Sequence, residues 1–342
     1  MLPKIPEKNK KAGVCYAVTD DGLELPIIDV THPAFALQIS DLELDELLQK
    51  HLDEVKSQAK VPGFIWRLMM GFMQRRSLLM RGIAAAAGTY MSGINTYILK
   101  LGPNNLNSGY ASDIDRTVAS SLPSLSVRLR VQDIAHLQAD GLYPVLDTRR
   151  KATLHLLNIG GGPAIDSLNV VIVLQKEHPG ALNGRRISIH SLDLDEAGPR
   201  FGARALTSLM EDNGPLHGLD IRFNHLKYDW TDTKVMRELV NSFDDEEIIV
   251  AASSEGALFE YGSDEEITTN LRTLYEITPP EAIVAGTVTR ADDIGRVMNS
   301  TSQAAIKLRG LDAFAALANR AGWEITKRID LPLSNDILMK KE

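Results

Sequence analysis

Residues Thr153–Glu177 read TLHLLNIGGGPAIDSLNVVIVLQKE: an apolar run, three consecutive glycines and a second apolar run. Leu154, Leu156, Leu157 and Ile159 offer apolar side chains to both faces of an extended segment, the pattern of a strand buried on both sides in a parallel sheet. Gly160, Gly161 and Gly162 let the backbone turn tightly and leave no Cβ between it and a ligand. Pro163 suits a first helical residue, where its missing N–H is not needed. The helix expected next contains Val170-Val171-Ile172-Val173, a β-branched run that propensity alone assigns to a strand. The order of the downstream segments decides for the helix, because strand, glycine loop, helix and strand form one repeating unit of an α/β sheet.

Beyond Glu177 the two patterns alternate, which predicts a doubly wound α/β domain. Strands are expected at 186–193, 221–227, 247–253 and 282–289, and helices at 199–210, 233–243 and 311–321. Ser263-Asp264-Glu265-Glu266 is a capping box that opens another helix, and Pro279-Pro280 stops it. Two last strands are expected at 323–329 and 337–340.

The loop's spacing separates the competing readings of a glycine cluster. A dinucleotide fingerprint G-x-G-x-x-G from Gly160 needs glycine where Ile165 stands, and a P-loop needs a Gly-Lys-Ser/Thr ending that is absent. The stretch Asn158-Ile159-Gly160-Gly161-Gly162-Pro163-Ala164 resembles the first motif of class I S-adenosylmethionine-dependent methyltransferases, acidic-x-Gly-x-Gly-x-Gly. Asn158 replaces the acid and Ala164 the last glycine. The resemblance runs from about Lys151 to the end of the sequence. It implies a Rossmann-like seven-stranded doubly wound sheet ending in an antiparallel pair, with S-adenosylmethionine as cofactor.

Carried over residue by residue, the resemblance puts Asn158, Gly160, Gly161 and Gly162 at the methionine end of the cofactor and Asp193 on its ribose. Asp195 stands behind Asp193 or starts the next helix, and Asp229 and Trp230 border the adenine. The segment from Ser253 to Tyr261 would face cofactor and acceptor. Ser253 is assigned to the cofactor, Glu255 is the first candidate base, and Glu260 and Tyr261 are reserves. The Asn/Asp-Pro-Pro-Tyr/Phe motif of amino-directed members is missing here. Ala252-x-Ser254-x-Gly256 imitates a hydrolase nucleophile elbow, but no histidine follows His225 to complete a triad in the usual order.

The remaining composition narrows the class. A chain of 342 residues with 44% hydrophobic content can bury a large core, and it is expected to divide into a mostly helical domain at 1–150 and the Rossmann-like domain at 151–342. A single cysteine, Cys15, excludes a disulfide framework and fits a reducing cytoplasm. The net charge of −8 and the short, scattered basic clusters argue against nucleic acid. Residues 1–13 are polar and lysine-rich, unlike a secretory signal. The stretch 82–99 is uncharged, but its Ala, Gly, Ser, Thr and Asn make it a poor membrane span. The eight histidines show no metal-ligand spacing, so no metal is expected.

In the first half, Ser40-Asp41-Leu42-Glu43 caps a helix with Leu44, Leu47, Leu48, Leu52 and Val55 on one face. Further helices are expected at 63–74, at 77–99 with a break near Gly88, and at 131–139. Residues 23–30 read as a strand or arm, and 102–109 as a loop. Tyr90, Asn95, Tyr97 and Lys100 would form a lid facing Glu255 and Tyr261 across an acceptor cavity. The expectation is a methyltransferase acting on a small-molecule acceptor, with no membrane partner and with homo-oligomerisation left open. Its alternatives are transfer of an aminopropyl or aminocarboxypropyl group, and a methyltransferase-shaped binding protein without turnover.

Overall fold

The computed structural model describes residues 4–58, 60–107, 109–301 and 304–342. Strands β1 (Tyr16–Val18) and β2 (Glu24–Pro26) pair as a short antiparallel ribbon. The seven other strands form one sheet: β3 (Thr153–Ile159), β4 (Arg186–Asp193), β5 (Asp220–Lys227), β6 (Ile248–Ser254), β7 (Ile283–Thr289), β8 (Trp323–Asp330) and β9 (Ser334–Lys341). Their order is β5-β4-β3-β6-β7-β9-β8. Only β9 runs against its neighbours β7 and β8. The chain order reverses between β3 and β6, so the glycine loop leaves the sheet at its topological switch point, where open α/β sheets bind ligands.

Every residue of β3 is buried, as its two-sided apolar pattern requires. The β-branched run is helical: α7 (Ile165–Glu177) is buried continuously from Ile165 to Leu174. Its propensity cost is at most about 0.7 kcal/mol per residue, whereas burying each Val or Ile returns about 1.5–3 kcal/mol. Burial decides. The helix starts two residues later than expected, because Ala164 sits in the left-handed region at φ 51° and Pro163 lies in the turn before it.

The helix expected at 131–139 is far longer. Helix α6 (Leu122–Thr148) spans 27 residues and packs on α7, β7 and β9. One apolar core therefore runs from Leu25, Ile27 and Phe35 through Ile134 and Leu142 to Leu156 and Val171. A second core lies on the opposite face of the sheet, under α9 (Lys234–Asn241), α11 (Asp264–Ile277) and α13 (Leu311–Arg320). The segment before Asp41 is an arm tied to the first core: Asn169 of α7 accepts from Val30 N at 2.8 Å and donates to Ile28 O at 3.0 Å.

The expected capping boxes form at Ser40/Glu43 and Ser263/Glu266. Four shorter helices join α1 (Asp41–Gln58) to α6: α2 (Gly63–Arg76), α3 (Leu78–Ala85), α4 (Gly93–Lys100) and α5 (Asp113–Ala119). The break near Gly88 separates α3 from α4. Helix α8 (Ala197–Leu209) follows β4, α10 (Leu258–Tyr261) follows β6, and α12 (Asp293–Thr301) follows β7.

Arg185 is the buried charge that joins α6 to the sheet. Its guanidinium donates to Leu146 O and Arg149 O, each at 2.9 Å, and also to Ala152 O. It thus satisfies carbonyls at the end of α6, where a cation also meets the negative end of the helix dipole. Arg185→Met leaves those carbonyls bare and is expected to cost about 2–3 kcal/mol in a urea unfolding series. A loss under about 0.5 kcal/mol would refute this role.

Candidate functional site

The glycine loop is held from below by a buried polar cluster. Asn158 is fully buried; its Nδ2 donates to the Asp166 carboxylate and to Ser253 Oγ at 3.1 Å. Burial pushes the Asp166 carboxyl above its ordinary range. A Cβ on Gly161 would overlap Asn158 Oδ1, so glycine is required there by the residue beneath it. Ser253 is equally buried. Asn158 and Ser253 therefore shape the loop from underneath.

The acids at the strand ends are bound to backbone. Asp193 accepts from Gly162 N and from Asp195 N, both at 2.8 Å. Burial raises its pKa, and these two N–H donors offset part of the rise. Asp195 accepts from Ala197 N at 3.1 Å and Gly198 N at 3.2 Å, so it starts α8. Asp229 is exposed and accepts from Thr231 N at 3.0 Å, which is a turn-forming role.

Close packing covers much of the loop. A Cβ on Gly160 would lie 2.7 Å from Ala257 Cβ and 3.0 Å from the Trp230 ring. A Cβ on Gly162 would lie 2.9 Å from Gly93 Cα, and one on Gly198 would lie 2.9 Å from Gly162 Cα. The first turns of α4 and α8 therefore meet the loop glycine to glycine. Gly160, Gly161, Asp193, Asp195 and Trp230 remain partly accessible as a rim. Ala164 occupies the place of the motif's last glycine and keeps a glycine-like φ of 51°, a conformation that costs an L-residue about 1–2 kcal/mol.

Beyond the C-terminal end of β6 lies a buried charge cluster. Glu255 is ion-paired to Lys100 of α4 and to Arg130 Nε of α6 at 3.1 Å, and its side chain is 4% exposed. Glu260 accepts from both terminal nitrogens of Arg130 at 3.1 Å and from Thr289 Oγ1 at 2.9 Å. Burial alone would raise the Glu255 pKa, but the facing Lys100 and Arg130 outweigh it and hold the carboxyl below its usual range. Tyr261 meets Tyr90 edge to face at 6.3 Å, and burial pushes its hydroxyl pKa up. Between the expected lid and Glu255 the structure places ion pairs that hold the carboxylate to Lys100 and Arg130. Arg130 and Asp166 were not among the expected site residues. An arginine within a helical stretch reads as solvated, whereas Asp166, an acid one turn past the glycines, was a legible signal. Among the described residues no group of three His, Cys, Asp or Glu is placed to hold a metal ion.

No protein family and no curated protein matches the chain in sequence. Among solved structures it is similar to a possible exported protein from Bordetella parapertussis, at 15% identity and a TM-score of 0.56, over 89% of this chain and 97% of that one. It is also similar to the mitomycin 7-O-methyltransferase MmcR, at 12% identity and a TM-score of 0.41, over 95% of this chain and 80% of that one. A third similar structure is a 1,6-didemethyltoxoflavin-N1-methyltransferase from Burkholderia thailandensis, at 13% identity and a TM-score of 0.38, over 62% and 78% of the two chains. Many of the structural neighbours are S-adenosylmethionine-dependent methyltransferases. With strand order β5-β4-β3-β6-β7-β9-β8 and a glycine loop after β3, the chain has a Rossmann-like doubly wound fold whose seven-stranded sheet ends in an antiparallel pair.

Proposed function

We propose that the protein is an S-adenosylmethionine-dependent methyltransferase acting on a small-molecule acceptor. The observation that carries this reading is the buried cluster Lys100, Glu255, Arg130 and Glu260 at the ligand end of the sheet. Buried ion pairs return little stability compared with apolar side chains of the same volume, so a cluster of four charged groups calls for another reason. Ionisable groups of this kind concentrated at the C-terminal ends of parallel strands mark a site.

In this reading the accessible rim holds the cofactor, with Gly160 and Gly161 at its methionine end and the remaining lone pairs of Asp193 on the ribose hydroxyls. The bound cofactor supplies a sulfonium methyl group. The chain's part is to align the acceptor, exclude water and take up any proton the acceptor releases. Gly93 and Lys100 both belong to α4. One displacement of α4 would uncover Gly162 and free Glu255 from its lysine, leaving Arg130 to orient the carboxylate. Residues 1–150 act here as the acceptor-side domain.

Calorimetric titration tests the cofactor assignment: Asp193→Ala is expected to weaken S-adenosylmethionine binding at least about tenfold, the loss of one or two hydrogen bonds to a charged group. Equal affinity in the variant would refute it. Release of S-adenosylhomocysteine supports methyl transfer, whereas methylthioadenosine would indicate transfer of the aminopropyl or aminocarboxypropyl group.

A second reading, binding without turnover, is favoured by the anchoring of α4. Tyr97 is buried; its hydroxyl accepts from Ile28 N at 3.0 Å and donates to Pro26 O at 2.8 Å. Its ring packs on Phe201 at 4.8 Å. Tight binding with no S-adenosylhomocysteine formed in the presence of cell extract would select this reading.

A further inference from the structure

Helix α2 (GFIWRLMMGFMQRR) has no buried residue. Phe64, Leu68 and Phe72 are 75%, 77% and 51% exposed, and Ile65 and Met69 join them on the same side. At 100° per residue these five side chains cover an arc of about 140°, while Trp66, Met70 and Met73 on the opposite side are half-buried. Surface helices of globular proteins present charge to solvent; this one presents aromatic and aliphatic side chains.

The charge along this part of the sequence has a single sign. Residues 55–112 contain seven Lys and Arg and no Asp or Glu, in a chain whose net charge is −8. Arg67, Arg75 and Arg76 lie on α2 itself, and Arg76 stacks over the Phe72 ring at 4.5 Å. An apolar face flanked by cations is complementary to an anionic lipid surface, with the side chains entering the acyl boundary and the guanidinium groups at the phosphates. A second copy fits less well, since α2 carries three arginines and no acid, so a two-fold contact through this face brings no opposite charge from its partner helix. Among the described residues no helix is long and apolar enough to cross a membrane, so the helix would lie on the surface.

We propose that α2 is a membrane-surface docking helix for anionic lipid bilayers. This revises the expectation, drawn from the lack of a spanning segment, that the protein has no membrane partner. It does not depend on the proposed enzymatic activity, because vesicle binding needs no cofactor.

The test is flotation of the full chain with vesicles of phosphatidylcholine alone or with about 30% phosphatidylserine. Wild type is expected to float with the anionic vesicles and to dissociate as salt is raised. Leu68→Glu/Phe72→Glu, at exposed positions, should abolish binding, and Arg75→Gln/Arg76→Gln should weaken it roughly fivefold per arginine. Circular dichroism establishes that both variants are folded. No flotation of wild type at millimolar anionic lipid, flotation unchanged in the Leu68→Glu/Phe72→Glu variant, or equal flotation with neutral vesicles would each overturn the proposal. So would a lipid-free wild-type dimer that the Leu68→Glu/Phe72→Glu variant converts to monomer, since the face would then be covered by a second copy.

Discussion

Arg130→Met is expected to lower the unfolding free energy by about 3–5 kcal/mol, because it leaves two buried carboxylates without their shared cation. Arg130 bonds Glu255 once and Glu260 twice, all at 3.1 Å. Burial works against the guanidinium's charge, but Glu260, Glu255 and the nearby Asp336 more than offset it and make the proton harder to remove. The loss in the single variant is therefore mostly the cost of stranded negative charge, and neutralising the partners should recover much of it. Urea unfolding of Arg130→Met beside Arg130→Met/Glu255→Gln/Glu260→Gln measures both effects. A single variant within about 1 kcal/mol of wild type, or a triple variant no better than the single, would show that the cluster does not carry this electrostatic load.

Two buried histidines on adjacent strands are expected to withdraw several kcal/mol of stability between pH 7 and pH 5. His155 Nδ1 lies 3.1 Å from His190 Nε2, and the His155 ring stacks on Phe243 at 3.7 Å. Burial lowers the His155 pKa to about 4, against a smaller opposing pull from Asp245; burial and then the neighbouring His155 lower that of His190 to about 3. Below about pH 6.5 the unfolded chain takes up protons that the folded chain refuses until pH falls to about 4 and about 3. The resulting slope approaches about 1.4 kcal/mol per pH unit per histidine. Unfolding curves at pH 7, 6 and 5 should differ by that slope between wild type and His155→Phe/His190→Leu, with wild type the more acid-sensitive. An unchanged slope in the double variant would assign the acid sensitivity to other groups.

The two effects differ in how far the sequence foreshadows them. His155 and His190 fall at buried strand positions that the hydrophobic pattern marks out, so their confinement in the core could be inferred once the strands were drawn. Their contact could not, since it depends on β3 lying beside β4 with Leu157 opposite His190. The Arg130 cluster was less visible still. Glu255 and Glu260 stand out as a base and its reserve, and Lys100 belongs to the stretch expected to face Glu255, but nothing local to them announces Arg130, which is 125 residues from Glu255.

The same division runs through the glycine loop. That Gly160 and Gly162 need positive φ follows from a tight strand-to-helix turn, a local requirement readable from the residues alone. That Gly161 must be glycine because of Asn158, and Gly162 because of Gly93, is a matter of which atoms come within van der Waals distance after folding. Sequence by itself determined the order of most strands and helices from Thr153 onward, because hydrophobic period, turn residues and capping boxes are short-range signals. Only the tertiary structure decided that α6 belongs against the sheet, and that the acids near the loop are paired to partners far along the chain. Burial and ion pairing are properties of the assembled core, in which desolvation strengthens electrostatic interactions that a linear pattern does not record.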